Sequence, residues 1–141
     1  MVNGIADIWI SILKNNYRML GLDETKPRGI VILGILIGLG AISQLFMAIT
    51  GTNAYFLGHS LNMTLSTIVY IFYAVVSVVL AYGMIDLKRS ALYLSIPWFL
   101  WGTGNGIMIY VVIGNIEMLA DAALSFIFLA HILSRREYFV N

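Results

Sequence analysis

Two carboxylates four residues apart, Glu117 and Asp121, interrupt an otherwise apolar run towards the C-terminal end of the sequence. Residues at that spacing share a helix face. A carboxylate at the centre of a bilayer costs about 2.5–3.5 kcal/mol on insertion scales, and less near the interface, so the pair needs a reason. Gln44, Asn105 and Tyr70 are the other polar side chains expected at similar depth, and His59 falls in a loop on the same side. Together Asp121, Glu117, Asn105, Gln44 and Tyr70 would make a polar pocket open to the outside, suited to a cation, a proton or a small polar solute. The competing expectation is a set of hydrogen bonds between helices, with Asp121 near enough to the surface to be hydrated.

Other chemistry finds little support. His59, Glu117 and Asp121 have no recognised metal-ligand spacing, so neither a metal nor another cofactor is expected. There is no cysteine, which excludes disulfides, thiolate sites and cysteine nucleophiles. Ser43 and the other hydroxyls lack a partner base at a suggestive spacing. The seven methionines are scattered and read as packing side chains. His131 is some 15 Å of helix from Asp121, at about 1.5 Å per residue, and is expected at the opposite interface. No catalytic motif is present, and the chain is not expected to be an enzyme.

The elements that must position these groups are membrane spans. The 141 residues are 60% hydrophobic and 11% charged, with a mean hydropathy of +0.90. Soluble domains carry roughly 25% charged residues, so most of this chain must be solvated by lipid. A net charge of +1 without a basic run gives no case for nucleic acid. From Gly29 to Thr50 there is no charge at all. Such a run crosses a hydrocarbon core of roughly 30 Å as a helix. Further spans are expected over 64–85, 91–113 and 116–133. The long Val/Ile/Tyr-rich second run must be helical, because lipid offers the backbone no other partner. Pro97 lies inside the third span and should kink it near Tyr93. Trp98 and Trp101 are expected to pack in the bundle beside it. Tyr138 and Phe139 in the tail are expected at the interface.

Ahead of the spans, residues 1–25 read as an amphipathic helix and connector. Ile5, Ile8, Trp9, Ile12 and Leu13 recur at helical spacing opposite Asp7, Lys14 and Arg18. No removable signal peptide is expected, and the first span should serve as its own insertion signal. Residues 26–141 form the transmembrane domain.

All eight Lys and Arg fall on one side of this arrangement. The positive-inside rule then places both termini in the cytoplasm. Asn62-Met63-Thr64 matches a glycosylation acceptor on the outer side, but lies close to the span start. Gly34 and Gly38, and again Gly102 and Gly106, give small faces on which another helix can come close. A contact within the monomer is expected there, with a dimer interface as the alternative.

The stretch Lys26-Pro27-Arg28-Gly29-Ile30, followed by LGILIGLGAISQLFMAI-type sequence, resembles a loose group of small bacterial and archaeal four-span proteins. Ala81-Tyr82-Gly83-Met84, then Leu87-Lys88-Arg89-Ser90-Ala91, is similar to the end of their second span and its basic turn. The likeness covers about residues 26–133. The group carries no established activity, so the resemblance implies architecture alone.

The expectation is therefore an all-α polytopic membrane protein, a bundle of four transmembrane helices preceded by an interfacial helix. It would be a multi-pass protein of the cell membrane, with the bilayer and other membrane subunits, or itself, as partners. Its first expected role is a non-catalytic accessory or assembly subunit of a larger complex, for example of respiratory, oxidase or monooxygenase type, or a homo-oligomer. The alternative is a small transporter or channel with an outward-facing polar pocket around Asp121.

Overall fold

The computed structural model describes residues 11–12 and 26–140. The expected N-terminal amphipathic helix lies outside the described residues, apart from Ser11 and Ile12, which are helical and exposed. Four helices follow: α1 (Arg28–Thr50), α2 (Met63–Ile85), α3 (Arg89–Ile113) and α4 (Ile116–Ser134). All four are long and apolar enough to cross a membrane. Large apolar side chains line their outer faces; Ile49 is 83% exposed, Val111 69% and Phe46 66%. Water would not tolerate that surface, and lipid does. The chain is a multi-pass membrane protein with an all-helical, four-helix bundle fold.

The helices form two hairpins, α1–α2 and α3–α4, each closed by small residues. The buried positions of α1 include Ile30, Gly34, Ile37, Ala41 and Ala48, a seam stepping by three and four. A Cβ added at Gly34 would lie 3.1 Å from the Ala81 carbonyl oxygen and 3.2 Å from Met84 Cβ. In the second hairpin, a Cβ at Gly106 would come within 2.7 Å of the Met118 carbonyl oxygen and 3.0 Å of Ala122 Cβ. At Gly102 it would meet Ser125 Oγ at 2.9 Å. Gly38 is looser, with Ala81 Cβ at 3.6 Å. These four glycines therefore face partner helices of their own chain.

The hairpins meet at one end of the bundle. Leu80, Met84, Leu87, Ala91, Leu129 and Ile132 form a buried cluster there with Ile30 and Leu33. The connection from α2 to α3 is only Asp86, Leu87 and Lys88. Leu87 takes a left-handed φ of 55°, an uncommon conformation for a branched side chain. Its N–H bonds the Met84 carbonyl and the Lys88 N–H bonds that of Gly83, which closes the helix end. Burial of the Leu87 side chain in the cluster offsets the conformational cost. Lys26 Nζ donates to the Ile85 carbonyl at 2.9 Å and ties the start of α1 to the end of α2.

Beyond α4 a 3-10 turn, Arg136–Tyr138, brings Phe139 back into this cluster, where it is 2% exposed. Phe139 is thus a core residue rather than the interfacial one expected, because the turn reverses the chain under the bundle. Pro97 stands inside α3, which runs without interruption through it. All six described Lys and Arg residues are at this end.

Within one helix the glycines divide sharply. An added Cβ at Gly104 meets nothing within 4 Å. Gly106→Ala should therefore force α3 and α4 apart and cost about 1–3 kcal/mol, as overpacking does, whereas Gly104→Ala should be neutral. Thermal unfolding of both variants in one detergent checks this.

Candidate functional site

Away from the cations a cleft of about 430 Å³ opens between the two hairpins. Its walls come from α1, α2, α3 and α4. Gly40, where an added Cβ would meet nothing within 4 Å, leaves room, while Gly102 and Gly106 border the cleft as they pack on α4. Gln44, Asn105 and Asp121, three of the polar residues singled out from sequence, line it together. Tyr70 and Glu117 are not among the lining residues. Tyr70 instead donates its hydroxyl to the Asn53 carbonyl at 3.3 Å and ties a loop to α2. Glu117 sits in the exposed first turn of α4, where its N–H is capped by Asn115 Oδ1 at 2.9 Å. A carboxylate there also suits the helix dipole.

Asp121 belongs to the second turn of α4 and is exposed. The one ion pair among the described residues is Lys88–Asp86, at 3.8 Å at the opposite end. Asp121 thus has no cationic partner among the described residues. Gln44 is held by Ser77, whose hydroxyl donates to Gln44 Oε1 at 3.1 Å. This bond crosses from α1 to α2 and fixes the amide inside the first hairpin.

Aromatic side chains make up much of the remaining wall. Tyr73, Trp98 and Trp101 line the cleft and lock one another. Trp101 Nε1 donates to the Tyr73 hydroxyl at 2.8 Å. The Tyr73 and Trp98 rings meet edge to face, with centroids 5.2 Å apart at 85°. Trp98, Trp101 and Asn105 recur at three and four residues along α3, which puts them on one face. That spacing was the sequence signal for an aromatic wall.

The loop after α1 is a structure that sequence patterning missed. Tyr55–Phe56 (β1) and His59–Ser60 (β2) pair antiparallel across a two-residue turn. Both turn residues, Leu57 (φ 50°) and Gly58 (φ 84°), have positive φ, as tight hairpins require. Leucine is a poor residue for such a position, and Asn105 supplies the compensation. Its Oδ1 accepts from the Leu57 N–H at 2.7 Å, and its Nδ2 donates to the Tyr55 carbonyl at 3.3 Å. Phe56 packs on Trp101 with ring centroids 5.0 Å apart. Gly58 is buried against Val112; a Cβ there would lie 2.7 Å from that side chain. The hairpin is therefore strapped to α3 by two residues that also line the cleft, Trp101 and Asn105.

Other residues fall outside this site. His59 is in β2 and exposed. His131 packs over Gly29 at the basic end, where an added Cβ would meet Nε2 at 2.7 Å. No group of three or more His, Cys, Asp or Glu suited to a metal occurs among the described residues. Asn62 of the glycosylation motif caps α2 by accepting from the Leu65 N–H at 2.9 Å.

Comparison with protein-family models, with curated proteins and with solved structures gives no match to this chain. The geometry of the cleft carries the functional reading.

Asn105→Ala removes both bonds to the β-hairpin. Each is worth about 0.5–1.5 kcal/mol net, so amide exchange over residues 55–60 should speed by about tenfold. Hydrogen exchange followed by peptide mass spectrometry checks it, with exchange in α1 unchanged.

Proposed function

We propose that this membrane protein binds a small solute in the cleft between its hairpins, as a small transporter or channel does. One observation carries the reading. Asp121, a carboxylate in a membrane-spanning helix without an ion-pair partner among the described residues, borders a cavity of about 430 Å³. Ionisable groups in spans face cavities or partners and mark pathways more often than they serve packing. The cavity also falls in the size range of small-molecule sites, roughly 300–1,000 Å³. The positive-inside rule supports an orientation with the basic end in the cytoplasm and the cleft open to the outside. The role is one of binding, with no covalent step. Four helices leave little room for a complete pathway in one copy, so transport would call for an oligomer.

A second reading is a non-catalytic accessory subunit of a larger membrane complex. It is favoured by a smooth place on the surface at Gly104, which is exposed and has nothing within 4 Å of an added Cβ. Such a position admits a partner helix at close range.

The test is a thermal-shift panel on the protein in nanodiscs, covering inorganic cations, organic cations, anions and neutral solutes. At least one class should raise Tm by several degrees, and Asp121→Asn should lose that shift. A panel without any shift overturns the binding reading. Co-purification from native membranes in fixed ratio with a foreign subunit would then support the accessory role.

A further inference from the structure

We infer that the ligand of the cleft is an organic cation, held by the Asp121 carboxylate beside the rings of Tyr73, Trp98 and Trp101. The inference rests on the reading that the cleft binds a solute, and adds its chemical class.

Charge gives the first argument. Among the described residues, Asp121 is the only charged one lining the cleft. Every described Lys and Arg lies at the other end of the bundle. An anion would meet one like charge and no opposite one. A cation meets the reverse.

Size and donor count separate an organic cation from a bare ion. A hard metal cation takes six or more oxygen ligands. The cleft offers few that are free. Gln44 Oε1 already accepts from Ser77, and Asn105 Oδ1 already accepts from Leu57. The Tyr73 hydroxyl accepts from Trp101, which leaves the carboxylate and the Ser125 hydroxyl as the lining side-chain oxygens without a bond among the described residues, around a space of about 430 Å³. Too few oxygens surround too large a volume for a dehydrated metal ion.

The rings supply what the oxygens do not. The face of an indole or phenol attracts a cation within about 6 Å of its centroid, and tryptophan does so best. The single donor of Trp101 is spent on the Tyr73 hydroxyl, so the indole keeps no N–H for an acceptor on the ligand, and its π system is what it has left to offer. Tyr73 in turn is fixed edge to face on Trp98, and Phe56 holds Trp101 from the β-hairpin side. The wall is preorganised, which lowers the ordering cost of binding. A carboxylate sharing one cleft with several fixed aromatic rings is the chemistry that recognises a substituted ammonium group. A free solute and the ammonium headgroup of a lipid both carry that group.

The test uses benzyltrimethylammonium and its uncharged carbon isostere neopentylbenzene. The protein carries Trp9→Phe, so that fluorescence reports Trp98 and Trp101. It is placed in phosphatidylglycerol nanodiscs, with protein-free nanodiscs as the partition reference. The cation should quench the tryptophans and bind at least tenfold more tightly than the isostere. Asp121→Asn should weaken it at least tenfold, Asp121→Glu should restore most of the loss, and Trp98→Leu should weaken it severalfold. Glu117→Gln, away from the cleft, should change nothing. Equal affinity for the two probes, or wild-type affinity in Asp121→Asn, overturns the cation assignment. Binding of an anion or neutral solute from the wider panel, with no cation binding, overturns it too and leaves the solute-binding reading in place. A panel silent in every class brings down both. Repeating the titration in phosphatidylcholine nanodiscs identifies the source. Competition by that lipid assigns the site to a headgroup, and unchanged affinity assigns it to a free solute.

Discussion

The contact on which this structure depends is backbone against backbone inside each helix hairpin. In lipid, a helix gains nothing by leaving an apolar solvent for an apolar neighbour, so association relies on closeness. Gly106 lies over the Met118 carbonyl, and Gly34 over that of Ala81, at distances where even one methyl group would not fit without movement. Each hairpin is thereby fixed as a unit. Between hairpins, close glycine contacts occur at the basic end, where Gly83 lies against Ala91 beside the three-residue turn, and at the β-hairpin, where Gly58 lies against Val112. The hairpins are thus joined by a cluster of large side chains at the basic end, and farther along by Trp101, Tyr73 and Trp98 and by the β-hairpin, with the cleft left between them.

The polar residues gather around the cleft and the β-hairpin beside it. Gln44 and Asn105 are satisfied by Ser77 and by the β-hairpin backbone, so most of the polar set is structural. Asp121 is the exception. The β-hairpin, held by Asn105 and Trp101, reaches from the first helix pair to α3. Anything that displaces Trp101 from inside the cleft also disturbs Phe56 above it. Cleft and strap share side chains, so occupancy of one bears on the order of the other.

The four spans were legible in the sequence because the lipid constraint is severe. An unbroken apolar run must satisfy its own backbone, and that leaves helix as the outcome even for the Val- and Tyr-rich α2. Depth was legible too, since rise per residue converts position into height; that is how Gln44, Asn105 and Asp121 came to be considered together. Azimuth was harder. Tyr70 shares the depth, but α2 turns it towards the Asn53 loop, and Glu117 stays on an exposed first turn. The β-hairpin could not be read from local preference, because Leu57 occupies a position usually given to Asn, Asp or Gly. Only a tertiary partner, Asn105, makes that turn favourable, and the two are 48 residues apart in sequence. Phe139 is a similar case, buried by a reversal of the tail that its composition did not announce.

The remaining question is why a carboxylate is tolerated on a lipid-exposed bundle without a cation beside it. Asp121 lies five residues into α4, about 7.5 Å along the helix axis from its start by helical rise. At that depth the insertion cost is only part of the full mid-membrane value, and water in an open cleft lowers it further. Depth alone makes the residue affordable, but it does not make it favourable, since a neutral side chain would cost less still. Structural work would be visible as a hydrogen bond or ion pair closing the hairpins, as it is for Gln44 and Asn105. Among the described residues Asp121 has no such ion pair, and the cleft it lines is also lined by aromatic rings fixed by contacts to one another. A charge placed beside rings already committed to each other contributes little to the fold, and its interaction energy is left for whatever enters the cleft.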